Sequence, residues 1–316
     1  MNRCSPAPHW SRLAQLADAD LAGEDVAAVN LACAAGLPGA EDVDVGRCLA
    51  RLDAWARHVR RETDRCAGQF RKDPAAFDNS RAYFRVLVLA TVLQQDCGVR
   101  YDPDLVPRDD FFSNAENLFL HGVLRGRGGT CSSLPPVYVA VGRRLGYPLR
   151  LVQTSSHLFA RWDDPATAER FNVECTSHGL NCHPDDYYRT WPQPTTPEEV
   201  QRSGWLLSLT PREELAAFLA NRGHCWQDNR RHREAVEAYA WAASLAPRQG
   251  GYLACLRGAV ARWRERLRQA ASAHFPLVIL HLAECRFSNL PDDLEREIRH
   301  LETVESLLGN PTRRRE

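Results

Sequence analysis

Cys131, His157 and Glu174 follow one another within the stretch Gly128 to Thr176, GGTCSSLPPVYVAVGRRLGYPLRLVQTSSHLFARWDDPATAERFNVECT. A thiol, an imidazole and a carboxylate are the parts of an activated cysteine nucleophile. The thiolate attacks an acyl carbon, the imidazole moves the proton, and the carboxylate orients the imidazole. Each alone has a plainer use, as a buried thiol, a strand histidine or a solvated carboxylate. The N–H of Cys131 offers one donor to an oxyanion, and Asn114 or Asn117, on the approach to Gly128, offers a second. Asn172 stands two residues before Glu174 as a substitute orienting group. For Asn114, Asn117 and the nearby His121 the plainer role is capping or loop structure.

Local signals say how these residues are positioned. Gly128 and Gly129 permit a close backbone approach, and Thr130 has the chemistry of an N-cap. Pro135 and Pro136 suit a first helical turn, whose N–H groups have no partner in the helix. Leu134, Val137, Tyr138, Val141 and Leu145 recur at three- and four-residue spacing, which predicts a helix with one buried face. Gly146 and Pro148 end it. Cys131 then lies at the positive end of that helix, where a thiolate is favoured. HLFARW and FNVEC alternate as strands, with His157, Phe159 and Arg161 on one face and Asn172 with Glu174 on the other strand's matching face. With DDPATA (163–168) as the loop, antiparallel pairing sets His157 opposite Glu174, with Cβ atoms roughly 5 Å apart.

The run G-T-C, R-R-L-G-Y-P, H-L-F-A-R-W and F-N-V-E resembles the transglutaminase-like superfamily, and its bacterial SirB-type branch in particular. The resemblance covers residues 80–205 and implies an α+β, papain-like core with an antiparallel sheet. In that pattern Cys131, His157 and Glu174 fall on the three catalytic positions. Two departures stand out. The third member is usually Asp, and here it is Glu, one methylene longer; many SirB-type members also lack the Cys. Papain-like enzymes commonly carry an amide side chain shortly before the Cys, where this chain has Arg125, Gly126, Arg127, Gly128 and Gly129.

Around that core the 316-residue chain reads as helical. Residues 1–79 form an N-terminal region in which LARLDAWARHVRRETDRC (49–66) places Leu49, Leu52, Ala56, Val59 and Thr63 on one face. SRAYFRVLVLATVLQQD is a Ser-capped apolar helix, and residues 192–197 are a linker. From 208 to 316 only helices are expected, opening with Thr210 as cap, Pro211 and Glu213. Leu219, Gly223, Trp226, Ala235, Tyr239, Ala242 and Pro247 resemble one tetratricopeptide unit over 216–249. ARWRERLRQAASAHF and PDDLEREIRHLETVESLL are further helices, and Arg313–Arg315 read as a solvated end.

Composition narrows the partners. Apolar residues make up 44% and charged residues 25%, with 40 basic and 40 acidic side chains, so nothing points to nucleic acid or acidic lipid. Lys72 is the one lysine. No secretory leader opens the chain, and no apolar run is long enough to span a membrane. Eleven scattered cysteines then predict reduced thiols in a cytoplasm. Cys175, His178, Cys182 and His183 have the wrong spacing for a common zinc site, so neither metal nor cofactor is expected. The leading reading is a cysteine-dependent acyl-transfer enzyme acting on a peptide or a small amide or ester, with a protein partner possible at the helical tail. Its rival is a non-catalytic scaffold or protein-binding module. A redox pair of Cys131 with Cys175 or Cys182 ranks third.

Overall fold

The computed structural model describes residues 9–270 and 289–309. The first eight residues, the end of the ARWRERLRQAASAHF helix and Arg313–Arg315 lie outside them. Four helices lead: α1 (His9–Leu13), α2 (Asp18–Ala22), α3 (Val26–Ala34) and α4 (Val45–Lys72). Asp25 and Asp44 cap α3 and α4 by accepting the Ala27 and Arg47 N–H groups. Helix α4 buries the stripe Leu52, Trp55, Ala56 and Val59 and leaves its arginines outside.

Next, α5 (Arg81–Thr91) starts at its Ser80 cap, which accepts the Tyr83 N–H, and passes into a wider π-helical turn at Val92–Asp96. The short α6 (Leu120–Leu124) delivers the chain to α7 (Leu134–Arg144), whose residues from Leu134 to Gly142 are all buried. Helix α7 packs against α3, α4 and the sheet. At Gly142 a Cβ would collide with the Leu149 side chain, so glycine sets the helix-to-strand spacing.

The sheet has three antiparallel strands in chain order, β1 (Leu149–Gln153), β2 (Leu158–Asp164) and β3 (Glu169–Val173). Strand β1 is an addition to the two predicted strands; its five residues are too few to show a period. The register also corrects the expectation. Ala160 pairs with Val173 and Asp164 with Glu169, because Asp163 and Asp164 extend β2 and the turn shrinks to Pro165–Ala168. Pairing is therefore shifted by two residues, and Glu174 lies diagonal to His157. Side chains alternate with a period of two, so a two-residue shift keeps both on the same face.

Beyond the sheet come α8 (Asp185–Thr190), α9 (Pro197–Ser203), α10 (Pro211–Asp228), α11 (His232–Leu245), α12 (Gly250–Ala270) and α13 (Asp292–Gly309). Thr210 and Glu213 cap α10 reciprocally, with Pro211 in the first turn. Residues just before α10 cover the free edge of β1 through Leu206 N–H to Gln153 O and Leu209 N–H to Leu151 O. One apolar interior runs from Trp10 through α7 and the sheet to Leu301, so the terminal helices share the core with the sheet. A smaller cluster of Val152, Phe159, Tyr188 and Leu206 occupies the other sheet face.

Candidate active site

The thiol is placed by a turn that is helical before the helix proper begins. Regular helix starts at Leu134, yet the Thr130 carbonyl already accepts the Leu134 N–H at 3.0 Å. Thr130 Oγ1 accepts the Ser132 N–H at 3.2 Å, and Ser133 Oγ accepts the Thr130 N–H at 3.0 Å, a reciprocal cap around Cys131. Among the described residues no hydrogen bond of this turn uses the Cys131 N–H, which lies beside its own thiol. Upstream, Gly129 exchanges backbone bonds with Arg100 and Asp102. A Cβ on Gly129 would come within 2.7 Å of Leu134 and 2.8 Å of Val123, so the approach demands glycine for space.

His157 ends the tight turn between β1 and β2. Its carbonyl accepts the Thr154 N–H at 2.8 Å and its N–H donates to Thr154 Oγ1 at 3.1 Å. The ring is buried, with 3% of the side chain exposed, and its Nε2 meets Glu174 Oε2 at 2.8 Å. The Cys131 thiol is near enough to act on this ring through hydrogen bonding and charge. Since Nε2 is committed to the carboxylate, Nδ1 is the nitrogen left for sulfur. Tyr188 stacks near the imidazole and Trp191 stands edge-on at 4.7 Å, partly exposed above it.

Glu174 follows β3 directly and is also buried. Its carboxylate accepts four hydrogen bonds. His157 Nε2 and the Tyr188 hydroxyl, at 3.1 Å, reach Oε2; the Thr176 N–H and hydroxyl, at 2.9 and 2.6 Å, reach Oε1. The loop carrying Thr176 is held in turn by Gln94 on the π-helical turn, which accepts the Gly179 N–H at 2.8 Å. Burial pushes this carboxyl upward, but the bonds and charge of His157 and the Thr176 donors carry it below the usual value. For His157 burial alone would lower the pKa; hydrogen bonds and negative charge from Cys131 and Glu174 outweigh it and raise the imidazole to about 9. The imidazole thus keeps its proton at neutral pH.

The three auxiliary amides make hydrogen bonds elsewhere, and Asn114 has the capping role that is its plainer reading. Asn114 caps a short turn by accepting the Glu116 N–H, and the Asn117 amide donates to Phe111 O at 2.9 Å. Asn172 accepts from Arg161 Nε and donates to His183 O and Asp185 Oδ1. His121 bonds Gly39 O. Cys175 is buried and bonds Val173 O, while the His183 ring stacks on Tyr187. Arg161 is fully buried; with Asn172, Leu206 O and Asp185 it anchors the start of α8, the helix that brings Tyr188 to Glu174.

Tyr188 and Thr176 are the site residues that sequence reasoning missed. Thr176 lies two residues beyond Glu174, so its N–H and hydroxyl are within local reach of that carboxylate. Tyr188 carries no such local signal, because its hydroxyl's partner depends on tertiary packing. Also unforeseen is a cleft of about 310 Å³ beside the thiol, with Cys131, Ser132 and the Thr154–Leu158 turn on one side. Ala217, Ala220, Asn221 and His224 of α10 and Tyr252 of α12 line the other. A thiol paired with a protonated imidazole, a backbone N–H and an adjoining cleft are what nucleophilic attack on a carbonyl requires.

The family model described as the transglutaminase-like superfamily matches residues 47–215. F-box only protein 21 of Mus musculus is 44% identical over 66 residues, which is 21% of this chain and 10% of that protein. F-box only protein 21 of Homo sapiens is 36% identical over 66 residues, with the same shares. The similarity therefore spans 10% of the length of those relatives. No solved structure matches.

Proposed function

This chain belongs to the transglutaminase-like superfamily, and from that premise we propose that it is a cysteine-dependent acyl-transfer enzyme of the SirB-type branch. The observation that carries the reading is the buried imidazole of His157, fixed by Glu174 at 2.8 Å and near enough to the Cys131 thiol for that group to raise its pKa. A scaffold would have no need of a carboxylate with four donors behind that ring.

The steps balance as follows. Cys131 Sγ, as thiolate, bonds to the carbonyl carbon of an amide or ester, and the carbonyl electron pair moves to oxygen. The Cys131 N–H stabilises that oxyanion. As the tetrahedral intermediate collapses, the C–N or C–O bond breaks, and the leaving amine or alcohol takes a proton from the His157 imidazolium. A thioester remains on Cys131. Water or an amine then attacks it, His157 accepts the proton, and the thiolate leaves. Glu174 stays ionised and holds the imidazolium in place.

The C-terminal helices complete the reading as a tetratricopeptide-like tail packed on the core and open to a protein partner. Gly223 supports it, since a Cβ there would come within 2.6 Å of the Tyr239 ring across the α10–α11 hairpin. The expected setting is a reducing cytoplasm, and among the described residues no helix is long and apolar enough to cross a membrane.

Exposure to p-nitrophenyl acetate tests the function. A burst of nitrophenol should accompany an acetyl group on the Cys131 peptide, discharged by hydroxylamine, and both should vanish in Cys131→Ala. Equal acetylation of the variant would contradict the assignment.

A further inference from the structure

The cleft beside Cys131 has two walls of different origin. One is the turn carrying His157, inside the residues that match the family; the other is helix α10, whose cleft residues all lie past them. We infer that this α10 wall selects the acyl group, and that it takes an uncharged, amide-bearing peptide segment through Asn221 and His224. The inference rests on the acyl-transfer reading above.

The wall is held in register with the thiol. Arg143, near the end of the helix that starts beside Cys131, makes a two-pronged bond to the buried Glu214 of α10, at 2.9 and 2.5 Å. On the other side, the Tyr252 hydroxyl donates to Gln153 Oε1 at 2.7 Å, next to the turn that ends in His157. Nucleophile, imidazole and α10 wall are therefore braced to one another, a condition for discriminating between substrates.

The chemistry of the wall defines its ligand. Asn221 and His224 are three residues apart and share one face of α10. Ala217 and Ala220 beside them are small enough to admit a main chain at close range. His224 Nδ1 bonds the Tyr239 hydroxyl at 2.7 Å and its ring packs against Phe112 at 4.9 Å, which leaves Nε2 to serve the cleft. Burial lowers this imidazole to about 4, so it is a neutral group at physiological pH. Apart from His157 and His224, no ionisable acid or base side chain joins Cys131 and Tyr252 in the lining. The one cation in the lining, His157, is already matched by Glu174 and Cys131, so a charged acyl group would lose water there without gaining a free counter-charge. A carboxamide or peptide bond finds what it needs: the Asn221 amide, the His224 ring nitrogen and the hydroxyls of Ser155 and Ser156. The volume lies at the low end for small-ligand sites, which suits a short segment.

Two affinity reagents differing by one charge test this on the full chain. These are N-chloroacetyl-alanyl-asparagine amide and its aspartate counterpart, with iodoacetamide as a reagent too small to reach α10. Labelling of Cys131 by the uncharged dipeptide reagent should saturate, with an apparent KI about tenfold below that of the anionic one. Asn221→Leu and His224→Leu should each raise that KI about fivefold, the worth of one neutral hydrogen bond. Their iodoacetamide rates should stay at the wild-type level. His224→Gln keeps an N–H donor and should retain most of the affinity, which separates recognition from lost packing. A reactive Cys131 whose dipeptide KI ignores charge, Asn221 and His224 would overturn the recognition role alone. Silence of Cys131 toward iodoacetamide would bring down the acyl-transfer reading and the recognition role with it.

Discussion

Exchange of Glu174 for Gln keeps the side chain's shape and removes its charge, at a position whose two oxygens accept four hydrogen bonds. A carboxamide has one acceptor oxygen. Turned toward His157 and Tyr188, it sets its NH2 against the Thr176 donors; turned the other way, it sets NH2 against His157 and Tyr188. Two bonds to an ionised acceptor are lost either way, each worth about 1.5–3 kcal/mol. The Thr176 and Tyr188 hydroxyls can rotate to accept, which returns part of that loss. A net destabilisation of about 2–4 kcal/mol is expected by urea unfolding of Glu174→Gln. The exchange also removes an anion from the imidazole, so the His157 pKa should fall from about 9 toward its ordinary 6.5. Imidazole NMR resonances followed against pH would read that shift. If the variant unfolds within about 0.5 kcal/mol of wild type and its His157 titration is unmoved, Glu174 is not what holds the ring.

Two further outcomes follow from the same geometry. Arg161→Met removes a fully buried guanidinium and strands Asn172, Leu206 O and Asp185; it should cost about 3–5 kcal/mol by urea unfolding and weaken the dyad by loosening α8. The pKa of His157 is raised, so its proton is fully held below pH 6.5 and lost as pH climbs through about 9. Acetyl transfer from p-nitrophenyl acetate to Cys131 should therefore decline on an alkaline limb near 9, and Cys131→Ala should move the imidazole's NMR titration downward because thiol bonding and charge are gone.

The nucleophile's setting was legible because its signals are local. Two glycines, a Thr cap and two prolines bracket Cys131 within nine residues of chain, and the cap and close approach are both present. The shared face of His157 and Glu174 was legible for a different reason: a period of two survives a two-residue error in register. The register itself was not, since Asp163 and Asp164 look like turn residues yet extend β2. The partners of Asn114, Asn117 and Asn172, an N–H, carbonyls and a buried arginine, are not revealed by spacing. Tyr188 and the α10 wall lay furthest from reach. Their places depend on Arg161 binding Asp185 and on Arg143 binding Glu214 across 71 residues of chain.

Competition among the cysteines tests the central claim most directly. An unperturbed thiol, with a pKa near 8.5, is almost wholly protonated at pH 6. A thiol that His157 activates by pairing with it should stay nucleophilic there. Limiting iodoacetamide at pH 6, followed by peptide mapping, should find Cys131 modified ahead of the other ten cysteines. His157→Ala should abolish that preference, because base and counter-charge go together. Cys131 unmodified in the native protein, and equally so after His157→Ala, would contradict the account and leave the thiol a structural one.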